Sequence, residues 1–393
     1  MGDYLIWLLL PIAALSGWLA ARSSYKKQQF GKVGERLQPG YFKGLNYILN
    51  EQPDKAIEVF VEMVQVDSET VETHLALGNL FRKRGEVDRA IRIHQNLIAR
   101  PTLNVEQRSH ALAELGQDYM SAGLLDRAEN IFSELMENSQ YKALALRFLR
   151  DIYQSEQEWD KAIKTLRKMI ELSRKDRNQI IAQYYCELAV QARENSNVPL
   201  VKRHLKQAIG VDPQCARASL LQGELEWQSG NIKNSLRCYD RFIAQSPQLS
   251  DEVIERVYAC HQQLGSVNKF LGDLRHLSKA QVGPLTHRLR LRLHASAKDE
   301  VNDEESYREA VYVSLQERPS LALIESWLEL FSDSKEVDSH GELKKLLAVI
   351  THLAKQNEGY CCQHCGYIAK SLHWLCPSCK RWDLARPVNA LDG

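Results

Sequence analysis

A short pattern of residues recurs along the chain at intervals of about 34 residues. Each copy has a glycine, an alanine twelve residues later and a large, usually aromatic, residue four positions after the alanine. The first three copies are Gly44, Ala56 and Phe60; Gly78, Ala90 and His94; and Gly116, Ala128 and Phe132. A unit of this length is one pair of helices that cannot bury its own apolar face, so the units must stack. The period therefore predicts an all-α array.

This pattern resembles the tetratricopeptide repeat, in which each unit is a pair of antiparallel helices. The copies weaken at residues 177–215 and return clearly with Gly223 and Tyr239. We predict a superhelix (α-solenoid) of about nine units over residues 36–356. The units from Asp251 onward rest on helical periodicity alone. A glycine after the first helix, such as Gly85, allows the positive φ of a tight turn.

A repeat superhelix offers a binding surface and carries no reaction chemistry of its own. We expect the first helix of each unit to line an inner groove. The candidate partner-binding positions there are Asn79, Arg82, Gln117, Asp151, Gln154, Glu224 and Trp227. For any one of them, simple solvation is the alternative. The sequence contains no G-x-x-x-x-G-K, G-x-S-x-G or H-E-x-x-H motif. We therefore predict no catalytic site and no enzyme, and we expect His94 to be packed.

Near its C-terminal end the chain carries two C-x-x-C pairs, separated by ten residues. The first pair is Cys362 and Cys365, followed by Gly366, and the second is Cys376 and Cys379. Two such turns can supply four thiolates to one tetrahedral metal ion. We predict a small zinc ribbon resembling rubredoxins at residues 357–393. Such a short domain has little core, so metal binding should supply much of its stability.

Two points about this site stay open from the residues alone. Cys361 offers a different spacing to Cys365, although the two-residue spacing from Cys362 suits a tight turn better. His364 and His373 are further possible ligands. Rubredoxins carry iron and transfer electrons, but the segment between the two pairs is much shorter here. Zinc in a structural role is therefore the prediction, and iron in an electron carrier is the alternative.

The opposite end of the chain is apolar. Residues 4–21 contain no charged side chain, and as a helix they would span about 27 Å, enough for a bilayer core. Positive side chains follow at Arg22, Lys26, Lys27 and Lys32. This order predicts a transmembrane anchor at residues 1–22 and a linker at 23–35, with the remaining chain in the cytoplasm. A cleavable signal peptide is the alternative, but it needs a positive N-terminal region.

Charge and cysteine usage narrow the function classes. The chain has 51 Lys and Arg against 50 Asp and Glu, so no overall positive field attracts nucleic acid. A nucleic-acid-binding zinc ribbon is nevertheless the main rival interpretation, because Lys370, Lys380, Arg381 and Arg386 surround the cysteines. Four of the nine cysteines are scattered and five are clustered. This distribution favours a reducing compartment and a metal site over disulfides.

The three parts occur in the order anchor, repeat array, metal-binding tail. The tail contains Trp374, Cys376-Pro377-Ser378-Cys379, Trp382 and Leu391-Asp392-Gly393. Over the whole chain this combination resembles the lipopolysaccharide assembly protein B family of Gram-negative bacteria. The resemblance implies an inner-membrane adaptor on the cytoplasmic side. It further implies that the adaptor promotes degradation of the LpxC deacetylase by the membrane protease FtsH. The implied ligands are the same four cysteines, other lipopolysaccharide proteins are further possible partners, and self-association stays open.

Overall fold

The computed structural model describes residues 39–66, 71–173, 177–270 and 359–388, with five isolated positions between 312 and 328. Within these residues, no helix is both long and apolar enough to cross a membrane. The predicted anchor at 1–22, the linker at 23–35 and nearly all of the predicted array after residue 270 lie outside them.

Thirteen α-helices are described. They are α1 Pro39–Leu49, α2 Pro53–Val66, α3 Val71–Lys83, α4 Val87–Ile98, α5 Val105–Ser121, α6 Leu125–Leu135, α7 Lys142–Ser155, α8 Trp159–Ser173, α9 Asn178–Glu194, α10 Val198–Val211, α11 Ala216–Gln228, α12 Ile232–Gln245 and α13 Ile254–Gln263. A 3-10 helix at Pro247–Glu252 precedes α13. The chain divides into two compact units, Met1–Leu172 and Ser173–Gly393.

Consecutive helices form the predicted hairpins. In the first unit α1 packs on α2, α3 on α4 and α5 on α6, and in the second α9 packs on α10 and α11 on α12. The predicted turn glycine Gly85 has a φ of 83°, and Gly123 and Gly230 take the equivalent turn positions with φ values of 73 and 74°. The weakened unit keeps the same geometry, because Ser196 takes the turn position with a φ of 54°. Residues 177–215 therefore contain an intact pair of helices, although the repeat pattern is weak in their sequence.

The repeated glycine lets the two helices of a hairpin approach closely. A Cβ atom at Gly223 would lie 2.6 Å from Cε1 of Tyr239, and one at Gly116 would lie 2.6 Å from Cζ of Phe132. These aromatic side chains are buried, as predicted from the pattern. His94 takes the equivalent position beside Gly78 and is also fully buried. The expectation that His94 is packed is therefore confirmed.

The close approach at Gly223 can be tested with two substitutions that should change the free energy of unfolding in opposite directions. Gly223→Ala should lower the free energy of unfolding by about 1–3 kcal/mol, because the ring of Tyr239 must move. Gly210→Ala, in α10 of the same unit, should raise it by about 0.5–1 kcal/mol, because nothing lies within 4 Å of the added methyl group. Urea denaturation measures both. Equal effects at the two glycines would contradict a packing role for Gly223.

The C-terminal tail forms a three-stranded antiparallel sheet in the order β2-β1-β3. The strands are β1 Tyr360–Cys362, β2 Ile368–Ala369 and β3 Ala385–Pro387. In register, Tyr360 faces Ala369 on one side and Pro387 on the other. These strands are too short to enclose a core, so they serve to hold the two cysteine turns beside each other.

Candidate metal centre

The first cysteine turn follows directly from β1. The backbone N–H of Gly366 donates to the carbonyl of Cys362 at 2.9 Å, and the N–H of Cys362 donates to the carbonyl of Tyr367 at 2.9 Å. Gly366 has a φ of 72°, in the left-handed region that glycine tolerates best. This turn points the thiols of Cys362 and Cys365 to the same side.

The second cysteine turn repeats the geometry of the first. The N–H of Lys380 donates to the carbonyl of Cys376 at 2.9 Å, and the N–H of Cys376 donates to the carbonyl of Arg381 at 2.9 Å. Lys380 takes the left-handed position here with a φ of 56°. The two turns therefore have the same conformation. The residue with positive φ is Gly366 in the first turn and Lys380 in the second.

The four predicted cysteines converge on one point. The Sγ atoms of Cys362 and Cys379 lie 3.7 Å apart, and those of Cys365 and Cys376 lie 3.6 Å apart. All four sulfur atoms lie within 4.8 Å of one another. In a regular tetrahedron with metal–sulfur bonds of about 2.3 Å, sulfur atoms lie about 3.8 Å apart. The four thiols therefore fit one tetrahedral metal ion.

Electrostatics in the cluster favour a bound cation. A hydrogen bond from the backbone N–H of Tyr367 lowers the pKa of the Cys365 thiol to about 6. Desolvation and the neighbouring cysteines raise the pKa of Cys379 to about 12. Once one thiol is ionised, the others lose their protons less readily because like charges repel. A divalent cation at the centre would remove this conflict and stabilise all four thiolates.

The other candidate ligands lie outside the cluster. Within the described residues, the convergent set contains neither Cys361 nor a histidine. Cys361 directs its Sγ toward the carbonyl of Cys362, at 3.8 Å, and His373 contacts Ser371. A set of four thiolates fills a tetrahedral shell and leaves no open position for substrate. The arrangement suits a structural metal.

Trp382 attaches the ribbon to the repeat helices of the second unit. Its ring meets that of Tyr184 of α9 edge-on, with centroids 5.7 Å apart. The guanidinium of Arg217 of α11 lies 5.8 Å from the centre of the same ring. Arg217 is itself held by Glu187, at 2.8 Å. The ribbon therefore rests on two successive first helices of the array.

A second contact between the ribbon and the repeats involves Tyr360 of β1, the central strand of the sheet. The hydroxyl of Tyr360 donates to the carboxylate of Glu252 in the 3-10 helix. Tyr360 and Trp374 also pack against the buried cluster that contains Phe242 and Val257. Burial raises the pKa of Glu252. Three of the ribbon's four aromatic residues thus contact the repeats, and the fourth, Tyr367, is exposed.

Comparison with known proteins agrees with this architecture. Residues 360–383 match a family described as "Rubredoxin metal binding domain". Residues 73–108, 145–180 and 187–250 match tetratricopeptide repeat families. Lipopolysaccharide assembly protein B of Escherichia coli K12 is 35% identical over 390 residues, covering 99% of both chains. The Haemophilus influenzae protein of the same name is 33% identical, covering 98% of both chains. The chain belongs to the lipopolysaccharide assembly protein B family.

Among solved structures, a MamA protein has a TM-score of 0.32 at 20% identity, covering 47% of this chain and 96% of that one.

In this family member the seven predicted groove residues are half-buried and lie on first helices of the repeats. Several already have partners within the chain: Asp151 pairs with Arg150, and Glu224 bridges Arg193 and Arg256. Trp227 packs against the core of the second unit. That these residues line a groove and bind a partner stays a prediction.

Sequence reasoning missed a buried charge network in the first unit of this lipopolysaccharide assembly protein B relative. Arg82 donates to Asp118 at 2.7 Å and to Glu114 at 2.6 Å. Asp118 also contacts Nδ1 of His94 at 2.5 Å, and both of these side chains are fully buried. Burial alone would lower the pKa of Arg82, but the hydrogen bonds to Glu114 and Asp118 outweigh it, so the pKa is raised. Arg82 is thus committed to its neighbours rather than free for a partner.

Proposed function

We propose that this protein is a non-catalytic adaptor of the inner membrane that regulates lipopolysaccharide synthesis. In this proposal it brings the soluble LpxC deacetylase to the membrane protease FtsH. The supporting observation is the match to lipopolysaccharide assembly protein B over nearly the whole of both chains. The described architecture suits the role, because a stacked repeat array offers extended surface for binding proteins.

The metal centre has a structural part in this proposal. Cys362, Cys365, Cys376 and Cys379 would hold one zinc ion, with iron as the alternative. A bound ion would supply charge balance for the thiolates and fix the two turns. The ribbon would then keep Trp382 against Tyr184 and so present the ribbon and the second unit as one surface. No step of catalysis is assigned to the ion.

Membrane attachment supplies the other half of the proposed mechanism. The apolar segment at residues 4–21 would confine the adaptor to the bilayer, and the positive residues after it would keep the array in the cytoplasm. Confinement raises the local concentration of the adaptor and its cargo near a membrane protease without any new contact.

Deletion of residues 1–21 tests this proposal. The truncated protein should leave LpxC as long-lived as in cells without the adaptor, because the array and the protease no longer share a membrane. The half-life of LpxC, followed by immunoblotting after protein synthesis is stopped, is the measurement. Circular dichroism of the truncated protein checks that the helices remain folded.

An unrelated transmembrane segment fused in place of residues 1–21 is the matched control. If tethering is what matters, this chimera should restore rapid degradation of LpxC. Full regulation by the untethered protein would refute the membrane part of the proposal. An unchanged LpxC half-life after complete removal of the protein would refute the assigned partner pair.

A further inference from the structure

A groove opens on the second unit between the second helices α10 and α12, with α11 below it. Its volume is about 400 Å³. The lining residues are Lys202, Leu205, Lys206, Ile209, Gln222, Leu225, Glu226 and Arg241. We call this the basic groove. Its size lies at the lower end of the range for sites that bind small ligands or single side chains.

The charges of the basic groove are unbalanced. Three cationic side chains line it, against the single carboxylate of Glu226, which lies 3.9 Å from Lys202. Over the residues that the structure describes, neither Lys206 nor Arg241 forms an ion pair. Arg237 stands one turn before Arg241 on α12 and is exposed, so the positive charge continues along that helix.

Arg241 is held in place by neutral groups. Its Nε donates to the hydroxyl of Ser219 at 2.8 Å, and its Nη2 donates to Oε1 of Gln222 at 2.7 Å. The hydroxyl of Ser219 in turn donates to Gln245 at 2.7 Å. These bonds fix the guanidinium without neutralising it. A fixed, uncompensated cation loses little conformational entropy when an anion binds.

The floor of the basic groove is aliphatic. Leu205 and Leu225 are buried there, and Ile209 is half-buried beside them. Cations above an aliphatic floor complement a segment that carries carboxylates next to an apolar side chain. Arg241, the cation that is fixed by hydrogen bonds, is half-buried. A peptide side chain can reach it in a concave groove more readily than a planar bilayer can, so the shape favours a peptide over a membrane.

We propose that the basic groove docks an acidic peptide segment of a partner protein, whose carboxylates pair with Lys206 and Arg241. The segment would lie on the side of the array made by second helices, away from the predicted inner groove. Docking here would contact the first helix α11 through Gln222, Leu225 and Glu226 and would leave the metal ribbon free for another partner. Docking in the basic groove requires neither LpxC nor FtsH as the partner.

The test uses the full-length chain in phosphatidylcholine nanodiscs and a fluorescein-labelled peptide of alternating Glu-Asp and Leu residues. We expect saturable binding by fluorescence anisotropy that weakens as salt is added. Lys206→Glu should weaken it about tenfold or more, because it replaces attraction by repulsion. Arg241→Gln should weaken it as well. Lys164 is an exposed residue of α8 outside the groove. Lys164→Glu changes the net charge by the same amount and should have little effect on peptide binding.

Three results would overturn the proposal. The peptide could fail to saturate the wild-type chain. Lys164→Glu could weaken binding as much as Lys206→Glu, which would indicate a general charge effect. Finally, vesicles containing phosphatidylglycerol could bind in a Lys206-dependent manner while the peptide does not, which would make the groove a lipid site. Lys206 is exposed and makes no described ion pair, so its variant should remain folded.

Discussion

Replacing Cys376 and Cys379 together by serine should release the metal and unfold the ribbon at residues 359–388. The strands there are only two or three residues long, so little else holds them. Structural zinc sites contribute on the order of 10–16 kcal/mol of apparent binding free energy to small domains. Elemental analysis of the purified full-length protein should fall from one metal ion per chain to none, and it also distinguishes zinc from iron.

The same variant should loosen repeat helices that contain no ligand. Tyr184 of α9 and Arg217 of α11 lose Trp382 when the ribbon unfolds, and Glu252 loses the hydroxyl of Tyr360. Hydrogen exchange should therefore accelerate in α9, α11 and the 3-10 helix. Helices α3 to α6 belong to the first unit and should keep their protection.

Cys361→Ser is the matched control for this experiment. It removes a neighbouring thiol that lies outside the convergent set, so the metal content and the exchange of α9 and α11 should match the wild type. Metal retained by the Cys376 and Cys379 double variant would contradict the ligand assignment. Metal lost without faster exchange in α9 would contradict the mechanical coupling of ribbon and repeats.

The metal site could be predicted from sequence because its geometry is local. Each pair of thiols is fixed by one turn of five residues, and only the meeting of two such turns depends on the sheet. Most of the repeat hairpins were predictable for a similar reason, since the glycine, alanine and aromatic positions keep the same spacing within each copy. In α9 and α10 the pattern fades because Ala189 and Leu205 replace the glycine and the aromatic residue, yet the packing tolerates both.

Contacts between distant segments could not be predicted in this way. Trp382 and Tyr184 are almost two hundred residues apart, and no periodicity connects them. The pattern of aromatic residues in the tail was equally consistent with a core internal to the ribbon. The choice between these outcomes depends on the surface that α9 and α11 present, which is a property of the assembled array.

The buried charge network shows the same limit within the array. The position of Arg82 on a first helix predicted an inner-groove residue, and His94 was predicted to be packed. Their common partner, Asp118, lies 36 residues from Arg82 and 24 residues from His94. The position of a residue within one repeat predicts which face of its helix it lies on. It does not predict which charged side chains of successive repeats will contact each other.

Asp118→Ala should strongly destabilise the first unit. It leaves the half-buried Arg82 with Glu114 alone and removes the partner of Nδ1 of His94, whose Nε2 already lacks a hydrogen bond within the described residues. Breaking a buried ion pair by removing one partner costs about 3–5 kcal/mol. Urea denaturation, with hydrogen exchange in α3 to α6, measures the loss.

Two further variants distinguish the loss of the buried network from the general effect of removing a carboxylate on stability. Asp126→Ala removes an exposed carboxylate from the first turn of α6 and should cost only about 0.3–1 kcal/mol, through its interaction with the helix dipole. Asp118→Asn keeps the shape and one acceptor oxygen but loses the charge, so its cost should fall between the other two. If Asp118→Ala costs no more than Asp126→Ala, the contacts of Asp118 with Arg82 and His94 contribute no more to stability than one exposed carboxylate does, and the network is not what stabilises the first unit.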